Sequence, residues 1–208
     1  MQEKIKQIHI LDHRRKFIMK FDIKVVANHI LRSVGGTPKV DRFYNSNKSR
    51  SIDIFQSQDS PMNTINTFST IGLSMYSIDR KLLDDSELRI EIIAAAPREN
   101  TIFANVLASC SFNIISGAYT CSPGVVFPNI LEQYFECANM KHIMFVSPFL
   151  WNIDDLQFDD RIVTWLMALP ISEKEFEYLR NNGSEALEQL FEDQQIDFYD
   201  LNRPDVLF

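Results

Sequence analysis

Residues 67–78 read T-F-S-T-I-G-L-S-M-Y-S-I, a stretch in which hydroxyl side chains and one glycine are mixed with large apolar side chains. Ile71, Leu73 and Met75 recur at every second position, which predicts a strand. Gly72 would then lie inside that strand, where glycine marks a bulge or the close approach of another group. Gly72 and Ser74 have the G-x-S spacing of a nucleophile turn, but the complete motif G-x-S-x-G is absent. The pattern therefore favours a strand over a catalytic turn.

The neighbouring segment predicts a second strand. Residues 87–96 alternate in polarity, which is typical of an antiparallel strand with one face in water. The polar residues 79–86 join the two strands, so we expect a hairpin with a loop of medium length. The expected core face consists of Leu88, Ile90, Ile92 and Ala94. The expected solvent face consists of Glu87, Arg89 and Glu91.

Further elements can be assigned on both sides of this hairpin. Residues 21–34 have helical spacing and stop at Gly35-Gly36. A helix is expected to open at Pro97, because the first helical position tolerates a missing N–H. Further strands are predicted at 51–55, at 141–147 and at 161–169, the last being ended by Pro170.

The clearest local signal lies near the C-terminus. Ser172 followed by Glu175 predicts a capping box, so a helix should begin there. Asn182-Gly183 ends it, and a second helix is expected from Ser184. This order of elements predicts one α+β domain over 22–208, with a mostly antiparallel or mixed sheet covered by helices. Residues 1–21 are read as a basic N-terminal extension.

The charge of the chain is distributed unevenly. Residues 1–50 carry 12 Lys or Arg and 4 Asp or Glu, whereas residues 151–208 carry 4 and 14. The acidic half would repel phosphates, which argues against nucleic-acid binding and suits a basic protein partner. Hydrophobic content of 45% and the lack of a long apolar run or signal peptide predict a soluble protein without a membrane partner. Three cysteines without C-x-x-C spacing are expected to be reduced thiols, as in the cytoplasm (Cys110, Cys121 and Cys137).

Few residues suggest catalysis. His9 and His13 are four apart and could share a metal on one helix face, but no third ligand is evident. The three cysteines with His142 match no zinc spacing. The paired acids at 154–155 and 159–160 are more typical of a solvated surface than of acid/base chemistry. We therefore expect no cofactor and no metal, and we interpret the chain as a binding protein rather than an enzyme.

Several segments of the chain resemble the suppressor of fused (SUFU) family in its bacterial, stand-alone form. These segments occur in the family's order over residues 22–206, and the first twenty residues lie outside the resemblance. They are H-I-L-R-S-V-G-G-T-P, S-I-D-I-F, T-F-S-T-I-G-L-S-M-Y, E-L-R-I-E-I-I-A-A-A, the long run from L-M-A-L-P-I-S-E to E-A-L-E-Q-L-F, and the late Arg203-Pro204.

The resemblance implies a non-enzymatic SUFU-like domain that acts as an immunity protein, or antitoxin, against a cognate toxin, often a nuclease. A second hypothesis is an adaptor that captures an extended peptide on a sheet edge, as animal relatives do. The third is a metal-dependent hydrolase using His9 and His13. The residues that match the family motif, with a structural role expected, are Thr70, Gly72, Leu73 and Ser74. The candidates for partner binding are Tyr134, Phe135, Asp154, Asp155, Asp159, Asp160, Glu188 and Glu192.

Overall fold

One twisted sheet with helices on both faces makes up the part of the chain that the computed structural model describes, residues 19–83, 85–136 and 138–206. The helices are α1 (Ile23–Val34), α2 (Phe103–Ile115), α3 (Glu173–Asn182) and α4 (Ser184–Gln194). The strands are β1 (Pro38–Tyr44), β2 (Ser51–Ser57), β3 (Ile65–Ile71), β4 (Glu87–Pro97), β5 (Val126–Phe127), β6 (Met140–Val146), β7 (Leu156–Gln157) and β8 (Arg161–Ser172). This arrangement confirms the expected α+β fold.

The sheet is mixed, as the sequence allowed. The strand order is β1-β2-β3-β4-β8-β6-β5, with β7 paired to β8. All pairs are antiparallel except β4 with β8, which run parallel at the centre. The connection from β4 to β8 carries α2, β5, β6 and β7, so the central pair joins residues far apart in the chain.

Two apolar cores lie on opposite faces of this sheet. Alternate residues of each strand enter different cores, since successive side chains of a strand point to opposite faces. The first core packs the strands against α2, through residues such as Phe68, Ile92 and Phe103. The second packs them against α1 and α4, through residues such as Val26 and Phe191.

The second core explains why the interpretation of β4 as a half-solvated strand was wrong. Leu88, Ile90, Ile92 and Ala94 do share one face, but Arg89 and Glu91 on the other face are also buried. Helices cover both faces at the centre of the sheet, so polar side chains there need partners inside the protein.

Several predicted boundaries moved. Pro97 ends β4 and does not open α2, which begins at Phe103. Pro170 does not end β8, which continues to Ser172. At this end β8 pairs with β6, and its pairing with β4 stops at Met167, so the missing N–H of the proline leaves no central ladder incomplete. Strands β1, β5 and β7 were not predicted.

The predicted stretch 67–78 is a strand only in its first half. β3 ends at Ile71, and Gly72 has a φ of 104°, in the left-handed region that favours glycine. A short 3-10 turn, Leu73–Met75, follows. Gly72 thus lies at the end of a strand and not within it, because the backbone must turn here.

The predicted capping box is present. The Ser172 hydroxyl accepts from the Glu175 N–H at 3.2 Å, and the Glu175 carboxylate accepts from the Ser172 N–H at 3.0 Å. Among the described residues, no helix is long and apolar enough to cross a membrane.

Candidate protein-binding site

The residues of the family motif surround a buried carboxylate. Glu91 on β4 is fully buried. Its oxygens accept hydrogen bonds from the Thr70 hydroxyl at 2.5 Å and from the Ser74 hydroxyl at 2.7 Å. The backbone N–H groups of Gly72, Leu73 and Ser74 also point at it, at 2.9, 3.2 and 3.1 Å. The turn after β3 is therefore shaped around this side chain.

Two opposing effects act on the pKa of the Glu91 carboxyl. Burial raises it, while the hydrogen bonds from Ser74 and Thr70 act in the lowering direction. Because Gly72 and Ser74 are buried and their donors are used inside the protein, this cluster offers no surface to a partner. These contacts fit the structural role expected for the motif. They also show that Glu91, which the alternating pattern placed in solvent, is the acceptor that the motif surrounds.

The acids of the 154–160 segment lie on the surface around the start of β8. The side chains of Asp154 and Asp155 are exposed, and the Asp154 carbonyl accepts from the His29 ring at 2.8 Å. Asp160 forms an ion pair with Arg161 at 2.6 Å, which holds the pKa of that carboxyl below its usual range.

The cleft beside Asp159 and Asp160 has mixed charge. Three cationic side chains share its lining with the acids, namely Lys81, Arg89 and Arg161. A basic partner would meet positive as well as negative groups here, so the structure does not present this segment as a purely acidic face.

Glu188 and Glu192 lie beside an apolar cleft of about 320 Å³ between α4 and the end of the sheet. Phe191, Ile196 and Phe198 belong to its lining. Burial, with repulsion from Glu185 and Glu192, raises the pKa of the Glu188 carboxyl. The structure thus combines these two acids with apolar surface, which the sequence pattern did not reveal.

Tyr134 and Phe135 are half-buried rather than exposed, and both pack against the first core. The Tyr134 hydroxyl lies 2.7 Å from that of Ser109 on α2, as a hydrogen bond. Phe135 also lines a second cleft, of about 570 Å³, together with Tyr199. The acids of this second cleft are Glu99, Glu136 and Asp200.

The two clefts meet at three aromatic side chains that sequence reasoning missed. The ring of Phe198 contacts Phe149 edge-on at 5.2 Å and Tyr199 at 4.5 Å. Phe198 lines the first cleft and Tyr199 the second. A signal was present in the sequence as D-F-Y-D (197–200), where aromatic residues stand between acids outside any periodic element.

The groups considered for metal binding are accounted for where the structure describes them. The His142 Nδ1 accepts from the Asn129 N–H at 2.9 Å, and Nε2 lies 3.1 Å from Glu173. Burial raises the pKa of the Cys110 thiol and that of Cys121, the latter to about 12. Within the described residues no three His, Cys, Asp or Glu side chains form a group suited to a metal ion. His9 and His13 lie outside the described residues, as does the Cys137 side chain.

Comparison with known proteins identifies the family of the chain and agrees with its fold. Residues 48–204 match the family model for "Suppressor of fused protein (SUFU)", which is most of the chain. The chain belongs to the SUFU family. It is 46% identical over 186 residues to the "Immunity protein YqcF" of Bacillus subtilis (strain 168), a match that covers 88% of this chain and 96% of that protein.

Solved structures of SUFU proteins share the fold at low identity. A putative SUFU homologue from Neisseria gonorrhoeae has a TM-score of 0.69 at 18% identity, covering 89% of this chain and 96% of its own. The structure of the Sufu–Fu complex has a TM-score of 0.63 at 12% identity, covering 88% of this chain and 91% of its own. Drosophila Suppressor of Fused gives 0.61 at 12%, over 88% of this chain and 50% of the fly protein. The SUFU fold of this chain therefore spans about half of the fly protein.

Proposed function

We propose that this protein is an immunity protein that neutralises a cognate toxin by stoichiometric binding, without turnover. The observation that carries the proposal is the 46% identity to the immunity protein YqcF over nearly the whole length of both chains. At that level of identity along a single domain, relatives commonly keep the same kind of task. The names of the relatives, an immunity protein and Suppressor of fused, likewise point to non-catalytic proteins.

The finer part of the proposal is that the toxin is basic and acts on nucleic acid. Residues 151–208 carry 14 Asp or Glu against 4 Lys or Arg. The exposed acids among them attract the positive groups that a nuclease uses to hold phosphates, so the inhibitor can occupy the footprint of the substrate. We propose that the exposed acids, including Asp154, Asp155 and Asp159, contribute this attraction.

Co-expression tests the proposal. The toxin encoded beside the gene of this protein should arrest growth of a host cell, and the protein should restore growth. The purified pair should form a complex of fixed stoichiometry, and its association rate should fall steeply as salt is added, because the charges are screened. Failure to protect cells, with both proteins expressed, would refute the immunity role. Protection with a salt-independent association rate would refute only the electrostatic part.

A second candidate, an adaptor that captures an extended peptide, is favoured by one observation. β1 lies at the edge of the sheet, and within the described residues no strand pairs with its outer side. Val40 and Tyr44 on it are 52% and 56% exposed. An open edge of seven residues can accept an added strand.

Peptide binding would distinguish the adaptor from the immunity protein. The adaptor predicts that extended peptides cut from a partner bind and that Val40→Lys, which places a charge on the edge, weakens them. Met62→Lys is the matched control, since Met62 is 54% exposed and outside β1. Equal binding by both variants would argue against strand addition at β1.

A further inference from the structure

Phe149, Phe198 and Tyr199 form a continuous aromatic surface, here called the aromatic ridge. Phe198 is the middle member, with ring centroids 5.2 Å from Phe149 and 4.5 Å from Tyr199. Phe149 is 57% exposed, and the other two are half-exposed. Aromatic side chains grouped at a surface are enriched where proteins bind one another.

A cleft lies on each side of the ridge. The cleft beside Phe198 has an apolar floor that includes Val146, Leu169 and Ile196. The cleft beside Tyr199 contains Phe135. Side chains of a partner can therefore enter on both sides of a central aromatic group, which is the arrangement found at the centre of binding hot spots.

Among the residues that the structure describes, the charged side chains lining the two clefts are all acidic. No described Lys or Arg lines either cleft, whereas Glu188 and Glu192 line one and Asp200 lines the other. Residues 184–202 contain six Asp or Glu and no Lys or Arg. This separates the ridge from the cleft at Asp159, where cations neutralise part of the acidic charge.

The ridge is held in place before any partner arrives. The Leu201 carbonyl accepts from the Met140 N–H at 3.0 Å, which ties the segment to the sheet. The Asp197 carboxylate accepts from the Tyr199 N–H at 3.0 Å, which fixes the turn that carries the aromatic pair. Because the backbone is already ordered, binding loses little conformational entropy here.

We propose that the aromatic ridge docks the toxin, at a basic face of that protein on which an apolar side chain is flanked by Lys or Arg. This inference rests on the proposed immunity function and names the surface that performs it. The apolar side chain enters the cleft beside Phe198, and the flanking cations meet Glu188 and Glu192. Nucleic acid and the same ridge of a second copy are disfavoured as occupants, since both would bring negative charge to an acidic rim.

The test uses the full chain and a catalytically inactivated form of the toxin encoded beside its gene, with association and dissociation rates measured separately. Phe149→Ala removes an exposed ring, so the fold should persist, and it should raise the dissociation rate at least about 10-fold. Met75→Ala is the matched control, because Met75 is 59% exposed outside the ridge, and it should leave both rates unchanged. Thermal unfolding of each variant checks the fold.

Charge reversal supplies a second and independent readout. Glu188→Lys with Glu192→Lys should weaken the complex by at least about 10-fold, mostly through faster dissociation. Asp154→Lys with Asp155→Lys changes charge away from the ridge, so it should slow association only. Because Glu188 is partly buried, Glu192→Lys alone is the variant to use if the double change lowers the unfolding temperature.

The outcomes separate this inference from the proposed function. Loss of protection and binding in the wild-type protein would overturn both. Wild-type protection with unchanged rates for Phe149→Ala and for the Glu188/Glu192 reversal would overturn the ridge alone. Self-association in sedimentation that Phe149→Ala abolishes would also overturn it, because the ridge would then be an interface between copies.

Discussion

Arg203 and Glu175 form a two-point ion pair inside the protein. The Nη1 and Nη2 atoms of the guanidinium donate to Oε1 and Oε2 of the carboxylate at 2.5 and 2.9 Å. Both side chains are buried, and Glu175 also accepts from the N–H groups of Ser172 and Val206. The start of α3 and the C-terminal segment are thereby joined at one carboxylate, next to the turn that carries the aromatic ridge.

Replacing Arg203 by lysine should destabilise the protein although the charge is kept. A lysine ammonium cannot reproduce the two parallel bonds to Glu175, so at least one charge-assisted hydrogen bond to the buried carboxylate is lost. We expect a loss of about 1.5–3 kcal/mol in the free energy of unfolding, measured by urea denaturation. Arg180→Lys on the exposed side of α3 is the control and should stay within about 0.5 kcal/mol. Equal stabilities of the two variants would contradict a two-point ion pair.

Removing the Ser74 hydroxyl should weaken the cluster around Glu91. Ser74→Ala deletes a donor at 2.7 Å from a fully buried carboxylate. We expect about 1.5–3 kcal/mol of destabilisation, again by denaturation. Ser77→Ala is a matched change three residues on, at an exposed position, and should cost much less. A small effect at Ser74 would mean that the Thr70 hydroxyl and the backbone donors satisfy Glu91 without it.

Acid should destabilise the protein through His142. Burial lowers the pKa of this imidazole, with Glu173 opposing the shift. Since the folded pKa lies below the unfolded value of about 6.5, the stability contributed by the neutral ring is complete above that value. It is lost as the pH falls below about 6.5 through the folded pKa, because the unfolded state takes up the proton first.

The hydrogen bonding of His142 also favours a lowered pKa, since a proton on Nδ1 would face the N–H of Asn129. The measurement is the difference in unfolding free energy between the wild type and His142→Gln, followed from pH 8 to pH 5. The difference should shrink as the pH falls, because glutamine does not titrate. A constant difference would contradict the prediction.

The two buried cysteines should react slowly. Cys110 and Cys121 are buried with raised thiol pKa values, so little thiolate exists at neutral pH. In a Cys137→Ser variant, Ellman's reagent should label less than about a tenth of the thiols in native buffer and both in denaturant. Rapid labelling of the native variant would contradict this burial.

Local sequence patterns correctly predicted the elements that leave a clear local pattern in the sequence. The alternation in 87–96, the helical spacing of 21–34 and the Ser172–Glu175 capping box each predicted an element that is present. In the helices the deciding interactions join residues a few positions apart, and in β4 the alternation follows the two-residue period of a strand, although its pairing partners are distant. The family resemblance, which was read from segments in sequence order, was confirmed by the match to the family model.

Signals failed where a distant partner decides the structure. Pro170 looked like the end of a strand, yet β8 continues past it because β6 pairs with it as far as Ser172, and β4 no longer pairs with β8 beyond Met167. Glu91 looked exposed in an alternating pattern, yet the second core buries it. The residues beside Pro170 and Glu91 in the sequence do not indicate these distant partners.

The sequence alone indicated an α+β domain with an acidic C-terminal half, because composition, periodicity and capping can be read from residues close together in the chain. Its resemblance to SUFU proteins indicated the family. Tertiary structure decided that Thr70, Gly72 and Ser74 enclose Glu91, a residue about twenty positions away. It also decided that Phe149 and Phe198 meet between two acidic clefts, since only folding brings the end of β6 beside the segment after α4. Side chains separated in the chain become one surface when the sheet sets their positions.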